Sequence, residues 1–577
     1  MIRRTSLAAA VSLCLAAGVA LASPPSGFNP SISMADTGII SPVNRGRPAL
    51  TASNSYTTLT EFGGNRMYRV TGDSNTSIGY SNWKWNGKPR HTYSKVQPWT
   101  LDGSLMAIDN RDGSSESRLQ LNYAYSVIGT IGTNAHANWW DARWLMDDTY
   151  GADDRFVNVI ADGSQIQLWD KSLDDTILVF TQGHNQLPFK AKMIGAGEGN
   201  LSLDNRYMAI MNFTGDTMAV VDWVGKNISP AYKLETGVPE AKNLTISPLG
   251  NFVYVKFADH DRNRIYDFNK SSLTITGPHT MDSGSQRCQD ADHADETPTP
   301  DDVDEWIFPL KHADVTLDPS DGNAEVLIGI KVCDTLGTVL NGNFAKILKV
   351  KMSTGAVTQV SKYVGSGGTN REGSASHVST RNTNLAGWAY VTYAYDDSTL
   401  LLGPRRFSGE IVAWKTDGSK SCMRFGHIHS YPQAYTDADV RFLFEAHAVP
   451  SPDGRLIAFN SPWSTECGAG HCGLHQNDTW VHTYVIDAKD YTPPPNPCEP
   501  WPECDGGGGG HEEGRPNPGG GGAIPRFFDT AGSARSRYGT TAVWFDVMGR
   551  KLSGGPTRGG IYIVKVNDVA RRVVITN

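Results

Sequence analysis

Between Leu59 and Asp487 the chain alternates short apolar runs with polar turns rich in Asp and Gly. The unit is an apolar run, a turn and a second apolar run. It occurs at residues 96–108 (VQPWTLDGSLMAI), at 143–157, at 201–210 (LSLDNRYMAI) and at 244–255 (LTISPLGNFVYV). Later copies start at His312 and His377, and the last spans 447–459 (HAVPSPDGRLIAF). Most copies are followed by a further strand-like run, such as Met218–Asp222, Gly409–Trp414 and Thr483–Asp487. Short strands in a repeat of this length, with no sustained helical period, predict an all-β fold, a seven-bladed β-propeller over 59–489.

The ends differ from the repeat. Arg3 and Arg4 precede an apolar run from Leu7 to Leu21 that closes on Ala20-Leu21-Ala22. This is the form of a secretory signal peptide over 1–22. The run is shorter than the roughly 20 residues of a membrane span, and no other run is long and apolar enough for one. Residues 23–58 form an N-terminal extension. Past Asp490 the chain becomes Pro-rich and then Gly-rich, with runs at Gly506–Gly510 and Gly519–Gly522, which marks a linker over 490–523. Residues 524–577 return to strand-like patterning and predict a small C-terminal β-sandwich-like domain.

Composition narrows the function. The 577 residues include 19% charged side chains and a formal net charge of −8. No basic surplus supports nucleic-acid binding. The 60 glycines suit a fold with many tight turns. Of 8 cysteines, Cys14 lies within the signal peptide. Cys467/Cys472 and Cys498/Cys504 are spaced as local disulfides, permitted in an exported protein. Cys288, Cys333 and Cys422 remain, an odd number.

Propeller topology places the start of each innermost strand and the end of the next strand on one face, around a channel mouth that suits a ligand. His91, His312, His377 and His447 hold such positions, with His427 and His429 in the loop before the last repeat. Circular closure puts the first four on one arc. Cys333 follows the second strand of the His312 repeat. His312, Cys333 and His377 are therefore expected to bind Zn²⁺ or another divalent cation (Ca²⁺, Mn²⁺), with Asp314 or water as fourth ligand. The alternative for Cys333 is burial or a disulfide to Cys288. The loop bearing Asp290, Asp292, His293, Asp295 and Glu296 is acidic but lacks an ordered Ca²⁺-loop spacing.

Two resemblances add to this reading. The stretches His377-Val-Ser-Thr-Arg-Asn, His427-Ile-His429-Ser, Glu445-Ala-His447 and Ser451-Pro-Asp-Gly through Phe459-Asn-Ser-Pro-Trp463 resemble secreted propellers related to oligogalacturonide and ulvan lyases. That resemblance implies β-elimination on a uronate-containing acidic polysaccharide, with a metal and no organic cofactor. Such lyases hold the metal with a Gln and a His pair before the final blade. Here Glu445 and His447 stand in that region and the second His is missing. Separately, Phe545-Asp546, Gly549-Arg550, Gly560, Tyr562 and Arg572 resemble the C-terminal sorting domains of type IX secretion. This implies a partner in the secretion machinery, with the protein secreted or held on the outer surface of a Gram-negative bacterium. The alternative is a plain Ig-like accessory domain.

β-Elimination needs a neutralised carboxylate and a base for the C5 proton. His91 is expected as the base, Arg143 as the neutralising cation and Tyr93 as the acid. Trp144, Trp388, His429 and His447 are expected to bind substrate, and Trp139, Trp140 and Trp463 also fit sugar stacking. The alternative for Arg143 is a structural ion pair. Asp147-Asp148 and Asp153-Asp154 read as turn formers rather than a glycosidase pair, and no serine-hydrolase, nucleotide-loop or His-Glu-x-x-His motif occurs. The protein is expected to be a monomer. The competing class is a non-catalytic surface propeller that binds glycan or protein.

Overall fold

The computed structural model describes the strand Leu59–Thr60, most of residues 65–488 and three strands near the C-terminus. Residues 1–58, 111–117, 131–141, 146–154, 279–309, 332–345, 362–373, 395–406, 431–441, 464–480, 489–542 and several shorter loops lie outside the described residues. The chain divides into two compact units, Met1–Pro500 and Trp501–Asn577.

The first unit is a β-propeller. Among the described residues its strands form seven antiparallel sheets, each overlapping one copy of the sequence repeat. The first contains Leu105–Asp109, Arg118–Asn122 and Val127–Thr130. The second runs from Arg143–Trp144 to Asp175–Thr181, the third from Tyr207–Met211 to Tyr232–Lys233, and the fourth from Ala241–Ile246 to Thr274–Thr276. The fifth runs from Leu310–Asp318 to Val357–Gln359, and the sixth from Ser374–Ser379 to Cys422–His427. The seventh joins both ends of the unit. Arg66–Arg69 pairs with His482–Asp487, which pairs with Leu456–Ser461.

Burial explains why the repeat closes into a ring. A sheet apolar on both faces must be covered on both. Ala107 packs with Ala142, Trp144 and Phe156 between the first and second sheets. Val391 and Trp414 meet Val326 and Ile328 between the fifth and sixth. Met106 and Ile108 of the first sheet meet Ala458 and Val485 of the seventh. Similar clusters fill the other junctions. The Asp-Gly turns are built alike. Gly454 has φ +72, and a Cβ there would sit 2.6 Å from both Leu385 Cδ2 and the Tyr390 hydroxyl, so the turn of one sheet locks onto its neighbour.

The second unit shows one antiparallel sheet of Val543–Asp546, Gly560–Val566 and Val569–Ile575. Among the described residues no helix is long and apolar enough to cross a membrane.

Candidate metal centre

Three histidines from consecutive sheets meet at one mouth of the ring. Each is placed by an irregular backbone. The strand Leu310–Asp318 shifts register between Lys311 and Asp314, and His312 in that bulge has φ 49. The strand Ser374–Ser379 shifts between Ala375 and His377. His447, just before Val449–Pro450, has φ 47. Positive φ costs a non-glycine residue on the order of 1–3 kcal/mol and persists where surroundings enforce it. Here they do. The Asp314 carboxylate accepts hydrogen bonds from the backbone N–H groups of Val315 and Thr380, at 2.9 Å each. It also accepts two from the Arg381 guanidinium, at 3.0 and 2.8 Å. This clamp fixes the fifth sheet against the sixth.

The imidazoles of His312 and His377 have centroids 4.3 Å apart, as do those of His377 and His447. His377 and His447 are buried, and His312 is half-buried. Glu445 Oε2 lies 3.2 Å from His447 Nε2 and 3.6 Å from His377 Nε2. His377, Glu445 and His447 offer one donor atom each, all within 4.8 Å of one another. His377 Nε2 is buried and makes no hydrogen bond. An orphaned buried imidazole nitrogen is costly, and a cation bound by two imidazoles and a carboxylate relieves that cost. The residues fit a divalent transition metal.

Burial keeps the donors ready. It pushes His377 down to about 3, with His447 adding to the effect, and pushes His312 and His447 well below the usual range. The rings are neutral at pH 7, as metal ligation requires. The same burial pushes His91 down to about 4. Below the ordinary histidine value of 6.5 the unfolded chain takes up these protons and the fold resists them. In the metal-free protein, His91 and His377 should therefore each remove about 1.4 kcal/mol of stability per pH unit as pH falls from about 6.5 to about 4. Denaturant unfolding across that range measures the slope, and a flat profile would contradict neutral burial.

Tyr93 completes the cluster. Its hydroxyl hydrogen-bonds with His312 Nδ1 at 3.0 Å, and its ring lies 5.5 Å from that of His377 and 5.0 Å from that of His447. Phe442 stacks against it at 6.2 Å. Burial, helped by Glu198 and Glu445, pushes Tyr93 well above 10, so the phenol keeps its proton.

The other expected site residues fall elsewhere, for identifiable reasons. His91 is fully buried with both ring nitrogens engaged. Nε2 donates to the His447 carbonyl at 2.6 Å, and Nδ1 lies 2.9 Å from the Asn460 side-chain oxygen. It is a buttress that holds His447 in its left-handed backbone, not a base with an open lone pair. His91→Ala should weaken metal affinity by roughly 10–100-fold, the range for a group that orients a ligand. Excess metal should restore kcat, which loss of a base would not allow.

Arg143 donates to three backbone carbonyls, Gly199 at 2.9 Å, Ala142 at 3.3 Å and Gly197 at 2.8 Å. Its guanidinium is a structural clamp on the turn Ile194–Gly197 rather than a carboxylate binder. Trp144 is buried in the junction of the first two sheets and donates to the Pro98 carbonyl at 3.1 Å. Trp388 is buried in the junction of the sixth and seventh, and Trp463 is buried beneath His429 at a 3.9 Å centroid separation. None of the three offers a sugar a face, and His429, fully buried, offers no edge. His447, fully buried, belongs to the donor group with His377 and Glu445.

The expected His312–Cys333–His377 ligand set changes too. Cys333 lies outside the described residues, as do Asp290–Glu296, Trp139, Trp140 and the paired cysteines. His312 Nδ1 hydrogen-bonds with Tyr93, and Glu445 joins His377 and His447 in the donor group. Glu445 and His447 stand in the region that the lyase resemblance marked for a metal, and Glu445 Oε2 lies 3.2 Å from His447 Nε2.

No protein-family model matches the chain, and no curated protein matches it. Among solved structures, an oligogalacturonate lyase in complex with manganese shares 11% identity. Its TM-score is 0.46, covering 75% of this chain and 95% of the other. An oligogalacturonate lyase from Vibrio parahaemolyticus shares 11% at a TM-score of 0.47, covering 76% and 97%. The hydrazine synthase of Kuenenia stuttgartiensis shares 10% at 0.37, covering 67% and 96%. Likenesses at this level assign no chemistry.

Proposed function

We propose that this is an exported lyase that cleaves uronate-containing polysaccharide by β-elimination at the mouth of the propeller. The observation that carries the proposal is the contact between a neutral proton-transfer pair, Tyr93–His312, and a ready-made cation site, His377–Glu445–His447. A bound divalent ion such as Mn²⁺ would neutralise the uronate carboxylate and so acidify the C5 proton.

The chain's own residues then move protons. His312 takes the C5 proton on Nδ1 as Tyr93 turns its hydroxyl to the leaving O4 oxygen. The C5–H electrons form the C4=C5 double bond, the C4–O4 bond breaks and O4 takes the Tyr93 proton. His312 afterwards returns a proton to the phenolate, which restores the pair. His377, Glu445 and His447 would hold the ion, and His91 braces His447. Phe442 and Tyr93 wall the site.

Product analysis tests the reaction class. β-Elimination leaves a new end that lacks one water and absorbs in the ultraviolet. Hydrolysis leaves neither mark, and fragments of the hydrolytic kind would overturn the proposal. Binding without cleavage would favour a glycan-binding propeller.

A further inference from the structure

A second set of charges surrounds the same mouth, apart from the histidines. Lys95 follows Tyr93 in the loop before the first sheet, and Glu198 follows the turn that Arg143 clamps. These two form an ion pair with side-chain exposures of 4% and 21%. Lys256 sits at the end of the strand Phe252–Phe257 in the fourth sheet, opposite Asn243. That is the end at which the fifth sheet presents His312, and Lys256 is among the cations that disfavour charge on that ring.

Lys256 is only 5% exposed. Its ammonium group makes no hydrogen bond or ion pair with any described residue. Glu198 favours charge on Lys256, while Lys95, Lys242 and Lys311 oppose it. Lys95 already takes the carboxylate. A buried ammonium without a partner is expensive, and burial pushes Lys256 down to about 8. An arriving anion removes that penalty.

His447, His377, His312 and Lys256 belong to the seventh, sixth, fifth and fourth sheets in turn. A ligand crossing the mouth from the metal centre therefore meets Lys256 beyond His312. We infer that Lys256 anchors a second anion subsite, and that its ligand is the carboxylate of a neighbouring uronate in the same acidic chain. The inference rests on the uronate reading of the metal centre. It makes the site selective for oligomers with a carboxylate on adjacent units, since a single uronate carries one carboxylate and cannot fill both points.

Calorimetric titration of the full-length protein loaded with Mn²⁺ tests this. The probes are trimers of galacturonate, glucuronate and mannuronate, the corresponding monomers, and a sulfated neutral trimer. The trimer that the wild type binds should bind Lys256→Met at least ~10-fold more weakly. The matching monomer should bind both proteins equally, and Lys256→Arg should keep most of the affinity. Lys256→Met replaces a buried cation that pairs with no described residue by an apolar side chain of similar length, so its thermal midpoint should match or exceed that of the wild type. Equal trimer affinity in wild type and Lys256→Met would overturn the inference while leaving the lyase reading intact. Preference for the sulfated trimer would overturn the carboxylate assignment. A wild type that binds no uronate would overturn both readings.

Discussion

Replacing His377 with Ala should abolish metal binding and lower turnover by about 10³-fold or more. Two effects combine. His377 is one of three donors, and its Nε2 has no other hydrogen-bond partner to lose. The bound ion is asked to offset the charge that develops on the uronate as the C5 proton leaves, a contribution of several kcal/mol, and about 1.4 kcal/mol is worth a factor of ten. Metal analysis of the purified variant and turnover at saturating substrate read the two effects separately. Glu445→Gln should retain some metal, because the amide oxygen still donates, but bind it more weakly than the carboxylate. A His377→Ala protein that keeps a full equivalent of metal would place the ion elsewhere.

Tyr93→Phe should lower kcat by about 10²–10⁴-fold, the usual range for a positioned acid or base, with metal content unchanged. The phenol hydrogen-bonds with His312 and is held protonated by its burial. Its removal leaves the leaving oxygen without a proton and His312 without its partner. Since the two act as one unit, Tyr93→Phe, His312→Ala and the double variant should show similar losses rather than multiplied ones. Multiplicative losses would mean that the two groups act independently. Loss of metal in Tyr93→Phe would make Tyr93 part of the framework instead.

The fold was largely written in the repeat. The Asp-Gly turns at Gly103, Gly163, Gly322, Gly418 and Gly454 mark real turns between strands, because the left-handed glycine there has few substitutes. Topology also placed His312, His377 and His447 together, since strand ends on one face must converge in a ring. What the pattern could not show was orientation. His91 sits at an equivalent position, yet its nitrogens turn to Asn460 and to a backbone carbonyl 356 residues away in sequence. The partners of Arg143 are carbonyls of a turn 54 and 56 residues on, invisible to any local motif. The tryptophans looked like sugar platforms because aromatic content alone does not separate an exposed face from a wedge between sheets. Lys256 was legible only as a lone cation in the apolar strand Phe-Val-Tyr-Val-Lys-Phe, a pattern that asks where the charge goes.

The central claim is that a metal-dependent elimination takes place at this mouth. The most direct measurement is the appearance of the unsaturated product from uronate polysaccharides, followed in the ultraviolet with metal-stripped protein before and after Mn²⁺ is restored. The account predicts no product from the stripped protein, steady formation once the ion returns, and none from His377→Ala under either condition. Absence of unsaturated product from every uronate polysaccharide, with the ion shown to be bound, would contradict it.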